Sequence, residues 1–263
     1  MSKLKFYKYT GTGNDFILLD NRSKAIFLSK EQINKLCDRH FGIGADGLML
    51  LEHSNDADFH MVYFNSDGGE STMCGNGGRC ISAFAKQLGI VSKNVQFTAI
   101  DGLHECVLHD DETVSLHMID VNKIVKHETY YELNTGSPHY VHYCDYVSDL
   151  DVKKEGALIR YSPKFKDQGI NVNFVERQTS NKLFVRTYER GVEDETLSCG
   201  TGVTAAAISS VAEIFGKHQI DVQTLGGLLQ VSFDNINGNL IKDIWLHGPA
   251  RFVFEGSINF PTP

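Results

Sequence analysis

Apolar positions along the chain recur with two different periods. Lys5–Asp20 (KFYKYTGTGNDFILLD) alternates and then runs apolar on either side of a Gly-rich turn, which predicts two strands joined at Gly11–Gly13. Residues 47–52 (GLMLLE), 58–65 (DFHMVYFN) and 94–100 (NVQFTAI) are rich in aliphatic and aromatic residues and predict further strands. Helical spacing appears at fewer places. Ser29 and Gln32 form a capping box ahead of Ile33, Leu36 and Cys37, predicting a short surface helix. After Cys74 the set Ile81, Phe84, Ala85 and Leu88 lies on one helix face, and Gly89 ends the run. Residues 202–212 carry no charge at all, so a helix there must be buried on every side. Strands in the majority, with one helix that cannot face water, predict strand-rich units each wrapped around a central buried helix.

The pattern repeats. Residues 70–88 (ESTMCGNGGRCISAFAKQL) return in outline at 195–214 (ETLSCGTGVTAAAISSVAEI), with Cys199 following Cys74 by 125 residues. Without gaps, the same offset carries Thr10-Gly11 onto Thr135-Gly136, Gly44 onto Gly169, Tyr63 onto Tyr188, and Gly102-Leu103 onto Gly227-Leu228. Glycines recur where a backbone path recurs, so this register reads as a duplication. The expected fold class is α/β, with two pseudo-symmetric halves, each a mixed-sheet barrel-like domain around a central helix. The joint is expected near Asp120–Lys126, giving one half over 1–122 plus a returning segment 253–263, and the other over 123–252. The two helix N-termini are expected to meet where the halves face each other.

Composition narrows the partners. The chain has 263 residues, 41% of them hydrophobic and 22% charged, with a formal charge of −8, which disfavours nucleic acid as a partner. The start, MSKLKFYKYTG, has no apolar signal-peptide core, and no run approaches a membrane span, so a cytoplasmic protein is expected. Six cysteines stand at 37, 74, 80, 106, 144 and 199. A chain long enough to build its own core has little need of disulfides, and the spacing of Cys74 and Cys80 does not suit a zinc hairpin, so no metal is expected. Gly42, Gly44 and Gly47 match the spacing of a dinucleotide-binding loop, but they follow a predicted helix where that loop follows a strand, so they read as a structural turn.

The chemistry concentrates at the two Cys-Gly-x-Gly sites. A cysteine at a helix N-terminus lies against unpaired N–H groups and the positive end of the helix dipole, which favours its thiolate. The glycines that follow leave those N–H groups open to an anionic ligand. Cys37, Cys80, Cys106 and Cys144 lack that setting and read as core or surface residues. Arg190 and Asn65 occupy equivalent turns leading to the two cysteine loops, and His139 and Asn14 are equivalent positions, each after a Thr-Gly turn. Two activated thiols serving one site suit a racemase or epimerase: one removes a Cα proton from one face and the other delivers a proton to the opposite face. With no imine cofactor, the carbanion needs fixed dipoles around the carboxylate, and two helix N-termini supply them. A hydrolase or transferase using one Cys with His139 leaves the second cysteine unexplained. A module binding anionic amino acids would need neither sulfur.

These motifs resemble the diaminopimelate epimerases, which epimerise an amino acid without a cofactor in lysine biosynthesis. GTGNDF at 11–16, GIGADG at 42–47, FNSDGGESTMCGNGGRC at 64–80, NVNF at 171–174 and ERGVEDETLSCGTG at 189–202 occur in that family's order across the whole chain. The resemblance implies Cys74 and Cys199 as the proton-transfer pair, with the backbone of Gly75, Asn76, Gly200 and Thr201 on the reacting carboxylate. It implies Asn14, Asn65, Asn171 and Arg190 on the distal end of the substrate. Glu189 would bind an ammonium or orient one thiol, and His139 would orient the other. It also implies a homodimer, with diaminopimelate as the small-molecule partner. Ser137 stands where the family often has Asn and reaches less far. The loop ERGVEDET is one residue longer than usual, and Glu193 and Asp194 are expected to add negative charge near the cleft. Gly47 stands where some members carry Gln, so no polar role passes there. Proline and hydroxyproline racemases share the two-thiol logic but have no need of a distal polar cluster.

Overall fold

The computed structural model describes residues 2–260. In chain order the first elements are β1 (Ser2–Gly11), β2 (Asn14–Asp20), α1 (Lys30–Cys37), β3 (Gly47–Glu52), β4 (Phe59–Asn65), β5 (Glu70–Ser71), α2 (Gly75–Gln87), β6 (Asn94–Ala99), β7 (Gly102–Leu108) and β8 (Thr113–His117). There follow β9 (Ile124–Lys126), β10 (Tyr131–Asn134), β11 (Pro138–Tyr143), α3 (Val152–Arg160), β12 (Asn171–Arg177), β13 (Lys182–Glu189) and β14 (Asp194–Thr196). The last are α4 (Gly200–Ser210), β15 (Gly216–Thr224), β16 (Gly227–Asn235), β17 (Ile241–Pro249) and β18 (Arg251–Phe260).

One compact unit takes the chain as far as Leu116 together with Pro249 onward; the other is His117–Gly248. The sequence placed these joints at 122/123 and 252/253, and residues 261–263 of the expected returning segment lie outside the described residues. Hydrogen bonds set the observed division. Met118 N–H donates to the Ile244 carbonyl (2.8 Å) and Val121 bridges Ile241, so 118–121 belong with β17. Ala250 N–H donates to the Glu112 carbonyl (3.1 Å), which ties the returning strand to the first unit from its start.

In the first unit, β1·β2 is antiparallel, β2·β3 parallel, β3·β4 and β4·β5 antiparallel, β4·β6 parallel, and β6·β7 and β7·β8 antiparallel. The second unit repeats that succession from β10·β11 to β16·β17. The tightest hairpins even keep their register: Ala99 pairs with Gly102, and Thr224 with Gly227. The ninth strand of each copy completes the other unit, β18 pairing with β1 and β9 with β10.

Each unit's mixed sheet curls around one helix. Helix α2 packs on β18, β1, β2, β3 and β7, strands drawn from both ends of its sheet. Helix α4 packs on β10 to β13, β15 and β16. Every α4 residue except Thr201 is buried, as its lack of charge requires. The outer face of each sheet is covered by the other helix of its unit. α1 shields Phe6, Ile17, Leu19 and Leu48 with Ile33 and Leu36, and α3 shields Val172, Phe174 and Tyr188 with Val152. α1 starts at the expected capping box, with Ser29 and Gln32 each accepting from the other's backbone N–H, worth about 1 kcal/mol. The Gly42–Gly47 stretch is a turn: the N–H groups of Ile43 and Gly44 donate back to the Leu36 carbonyl, and Gly47 opens a strand. No helix among the described residues is long and apolar enough to cross a membrane.

Candidate active site

Cys74 and Cys199 are the N-cap residues of α2 and α4, both in extended conformation, and neither side chain caps its own helix. The first intrahelical bonds run from Gly78 N–H to the Cys74 carbonyl (2.7 Å) and from Val203 N–H to the Cys199 carbonyl (2.9 Å). The N–H groups of each first turn therefore have no partner within their helix and point along the axis past the cysteine. Cys74 is half-buried and Cys199 buried. The other thiols are different: burial pushes the core residues Cys37, Cys80 and Cys106 up to about 12 and raises half-buried Cys144, which disfavours the thiolate in all four.

In the first unit the residues around Cys74 form one polar chain. Asn76 donates from Nδ2 to Asn14 Oδ1, and Asn14 Nδ2 donates to Asp46 Oδ2 (3.0 Å). Asp46 also accepts from Arg39 (2.7 Å), and Arg39 forks onto Asp15, which pairs with buried Lys8 (2.7 Å). Burial acts to raise the Asp15 pKa, but hydrogen bonds from Arg39 and Lys8 outweigh it and bring it down to about 2. Asn65 ends β4 opposite Gly47, and the next residue, Ser66, donates its N–H to the Asp46 backbone carbonyl (3.1 Å), so the Asn65 turn is tied to the same residue.

On the inner side, Asn76 Oδ1 accepts from Arg79 Nη2 (2.8 Å). Arg79 is fully buried and also donates to the Gly75 carbonyl (3.2 Å) and to Thr12 Oγ1 (2.8 Å). It meets no carboxylate among the described residues. Burial lowers its pKa, while the thiols of Cys80, Cys74 and Cys106 act in the opposite sense. Thr12 holds φ +54, a conformation costly for a β-branched residue, at the position where it accepts from Arg79.

The second unit gathers its residues around the start of α4. Thr201 Oγ1 lies 3.4 Å from Cys199 Sγ, and the Thr201 carbonyl accepts from Thr135 Oγ1 (2.8 Å). Asn171 donates to Ser137 Oγ (2.9 Å) and the Pro138 carbonyl (3.2 Å), and accepts the Arg190 N–H (2.9 Å). The Arg190 guanidinium donates to the Gln168 carbonyl (3.0 Å) and Ser137 Oγ (3.4 Å). Ser137, Asn171 and Arg190 are thus brought together. Glu189 accepts from Thr196 Oγ1 (2.9 Å), two residues before Ser198 and three before Cys199. His139 is completely buried with Nδ1 against Asn173 (3.0 Å); burial, aided by the Arg190 charge, depresses its pKa to about 3, so it is neutral.

One expectation is corrected. The extra carboxylates of the 189–196 loop are compensated by α3. Glu193 pairs with Arg160 (3.3 Å) and accepts from the hydroxyls of Tyr161 and Tyr188 (3.1 Å each), while Asp194 pairs with Lys153 (2.6 Å). The longer loop therefore adds no uncompensated charge. Sequence reasoning missed Asp46, Arg79 and Asn173. Among the described residues no group of three or more His, Cys, Asp or Glu side chains is placed to hold a metal ion.

A family model described as diaminopimelate epimerase matches residues 6–124 and 131–253. The chain belongs to the diaminopimelate epimerase family. A diaminopimelate epimerase of Flavobacterium psychrophilum is 53% identical over 260 residues, covering 97% of this chain and 100% of that one. One from Chlorobaculum tepidum is 42% identical, over 95% and 99% of the two chains. The fold is wider than the diaminopimelate epimerases. A Bacillus anthracis phenazine biosynthesis protein of the PhzF family superposes with a TM-score of 0.77 at 13% identity, over 99% and 100% of the chains. A hydroxyproline epimerase from Agrobacterium vitis does so with 0.70 at 12%, over 97% and 92%.

Proposed function

We propose that this chain is a pyridoxal-phosphate-independent epimerase interconverting L,L- and meso-diaminopimelate, in lysine biosynthesis, by two-base proton transfer between Cys74 and Cys199. The observation that carries the reading is the paired placement of these two cysteines, and no others, as N-caps of the central helices in a chain of this family. One thiolate takes the Cα proton, the other thiol delivers a proton to the opposite face, and the roles exchange with substrate handedness. The Cα carbanion is stabilised through its carboxylate, held by the first-turn N–H groups at Gly75, Asn76, Gly200 and Thr201. Such fixed donors need no reorganisation as charge develops, and removing one typically costs about 100- to 1,000-fold in rate.

Arg190, with Asn171 behind it, supplies the charge for the distal carboxylate; Asn14 and Asn65 complete the distal grip. Ser137 accepts from both Asn171 and Arg190 and so fixes that pair, supporting a role despite its short reach. Glu189 binds an ammonium or orients a thiol, and His139 orients a thiol. This distal cluster favours a dicarboxylate over the proline-type substrates of fold relatives. The enzyme uses no cofactor, works in the cytoplasm and forms a homodimer; exposed Phe252, Val253 and Phe254 on β18 support self-association.

The test is turnover of purified protein in EDTA-treated buffer without pyridoxal phosphate. Conversion of L,L- to meso-diaminopimelate is expected, and Cys74→Ser or Cys199→Ser should each lose at least about 100-fold in kcat. A requirement for added metal or pyridoxal phosphate, or wild-type rates in either variant, would overturn it.

A further inference from the structure

His139 sits in a network with a defined direction. Asn173 is fully buried on β12, and its Nδ2 lies 3.0 Å from the Tyr140 carbonyl and 3.0 Å from His139 Nδ1. Its Oδ1 accepts from Thr187 Oγ1 (3.0 Å) on β13. A carbonyl can only accept, so the group facing Tyr140 must be the NH2 end of the amide. The same NH2 group faces His139, so His139 Nδ1 must be the acceptor. In a neutral imidazole one nitrogen accepts and the other carries the proton, which leaves the proton on Nε2. His139 Nε2 is itself buried and finds no hydrogen-bond partner among the described residues.

The network is confined to one copy of the repeat. Where Asn173 pairs with Thr187 and faces Gly202 of α4, the first copy pairs Met49 with Tyr63, and Met49 faces Gly77 of α2. Met49 is a fully buried apolar side chain on the equivalent strand, so the fold does not require an amide there. A buried amide is tolerated only where its bonds are met, and here all of them converge on the histidine's ring orientation and tautomer.

We infer that Asn173 is a positioning residue that locks His139 as a neutral Nε2–H donor. His139 then serves the reaction by donating a hydrogen bond to an anion, a thiolate or the substrate carboxylate, and is not the base that deprotonates a thiol. To act as that base it would have to accept a proton at Nε2, which already carries one. The alternative, accepting at Nδ1, is blocked by an amide N–H. This inference rests on the proposed epimerase reading for the role of the donor, but not for the tautomer.

The tautomer is read directly by nitrogen NMR of protein labelled with 15N-histidine. The chain has 11 histidines, and His139→Gln identifies the signals to follow. The wild-type protein should show a proton on His139 Nε2 and a bare Nδ1; a proton on Nδ1, or on both nitrogens, overturns the inference whether or not any variant folds. Asn173→Asp presents Nδ1 with an acceptor in place of a donor. It should move the proton to Nδ1 and lower kcat about 100-fold, with KM changed only a few-fold. A variant that keeps the wild-type tautomer, or moves the proton without loss of kcat, also overturns it. Failure of the wild-type protein to epimerise diaminopimelate would remove the reaction while leaving the tautomer result standing, so the two failures are distinguishable.

Discussion

Gly77 and Gly202 occupy the same helical position in the two copies, and the structure predicts that they tolerate a methyl group very differently. A Cβ built on Gly202 would lie 2.2 Å from Asn173 Oδ1, and one built on Gly77 would lie 2.3 Å from Met49 Cε. Both are about 1 Å short of an ordinary contact. The difference is what has to move. Met49 ends in an unbranched thioether that can swing aside, so Gly77→Ala should cost about 1 kcal/mol or less. Asn173 cannot retreat without stretching its 3.0 Å bonds to Thr187, Tyr140 and His139. Overpacking of about 1–3 kcal/mol plus about 1 kcal/mol for a lost buried bond puts Gly202→Ala at roughly 2–4 kcal/mol. The helix-propensity gain of Gly→Ala is common to both variants and cancels. The gap of about 2 kcal/mol should separate their melting temperatures by about 4–8 °C in calorimetry. Equal melting temperatures would refute the claim that a rigid amide network backs the start of α4.

Arg190→Ala should raise KM for diaminopimelate about 10- to 100-fold through loss of a charge-assisted partner; unchanged kinetics would mean that the guanidinium serves only Gln168 and Ser137. His139 gives a pH signature. Its folded pKa of about 3 lies below the unfolded value near 6.5, so between these the unfolded chain binds a proton that the native protein does not, and stability rises with pH. Taking the pH from 6.5 to 5 should cost about 2 kcal/mol in urea titrations, and His139→Gln should flatten that slope; an unaltered slope contradicts the assignment. Asp15, at about 2, acts in a lower window, its contribution being lost between about pH 4 and 2. If the two catalytic sulfurs flank one Cα, air should inactivate the enzyme, dithiothreitol should restore it, and peptide mapping should find Cys74 joined to Cys199. Free thiols in the inactive protein, or a Cys74–Cys80 link, would count against it.

The elements were legible wherever a local signal set them. Ser29 and Gln32 announced α1, the uncharged run after Gly202 announced a buried helix, and both cysteines sit at the helix starts that their following glycines implied. The side-chain networks were not legible, because their members meet only through sheet register. Asn173 faces Thr187 across β12·β13, and β11·β12 sets His139 beside Asn171, two residues from Asn173. A signal existed in the repeat itself. Polar Asn173 stands where the first copy has Met49, each buried against the glycine of its central helix. A polar residue in only one of two equivalent core positions points to chemistry, since packing alone is met by its apolar counterpart. The strand exchange was only half visible: the returning C-terminal segment was expected, but its first-copy counterpart, β9, is three residues long and carries no strong pattern.

The two-thiol mechanism is tested most directly by isotope incorporation in D2O. L,L-diaminopimelate is incubated with the protein, sampled while only a small fraction has reacted, and both isomers are analysed by mass spectrometry. If Cys74 and Cys199 act from opposite faces, meso product carries one solvent deuterium at the inverted Cα while recovered L,L substrate stays unlabelled. Product that retains the substrate proton, or substrate that gains deuterium ahead of product, would mean that a single base serves both faces and would contradict the account.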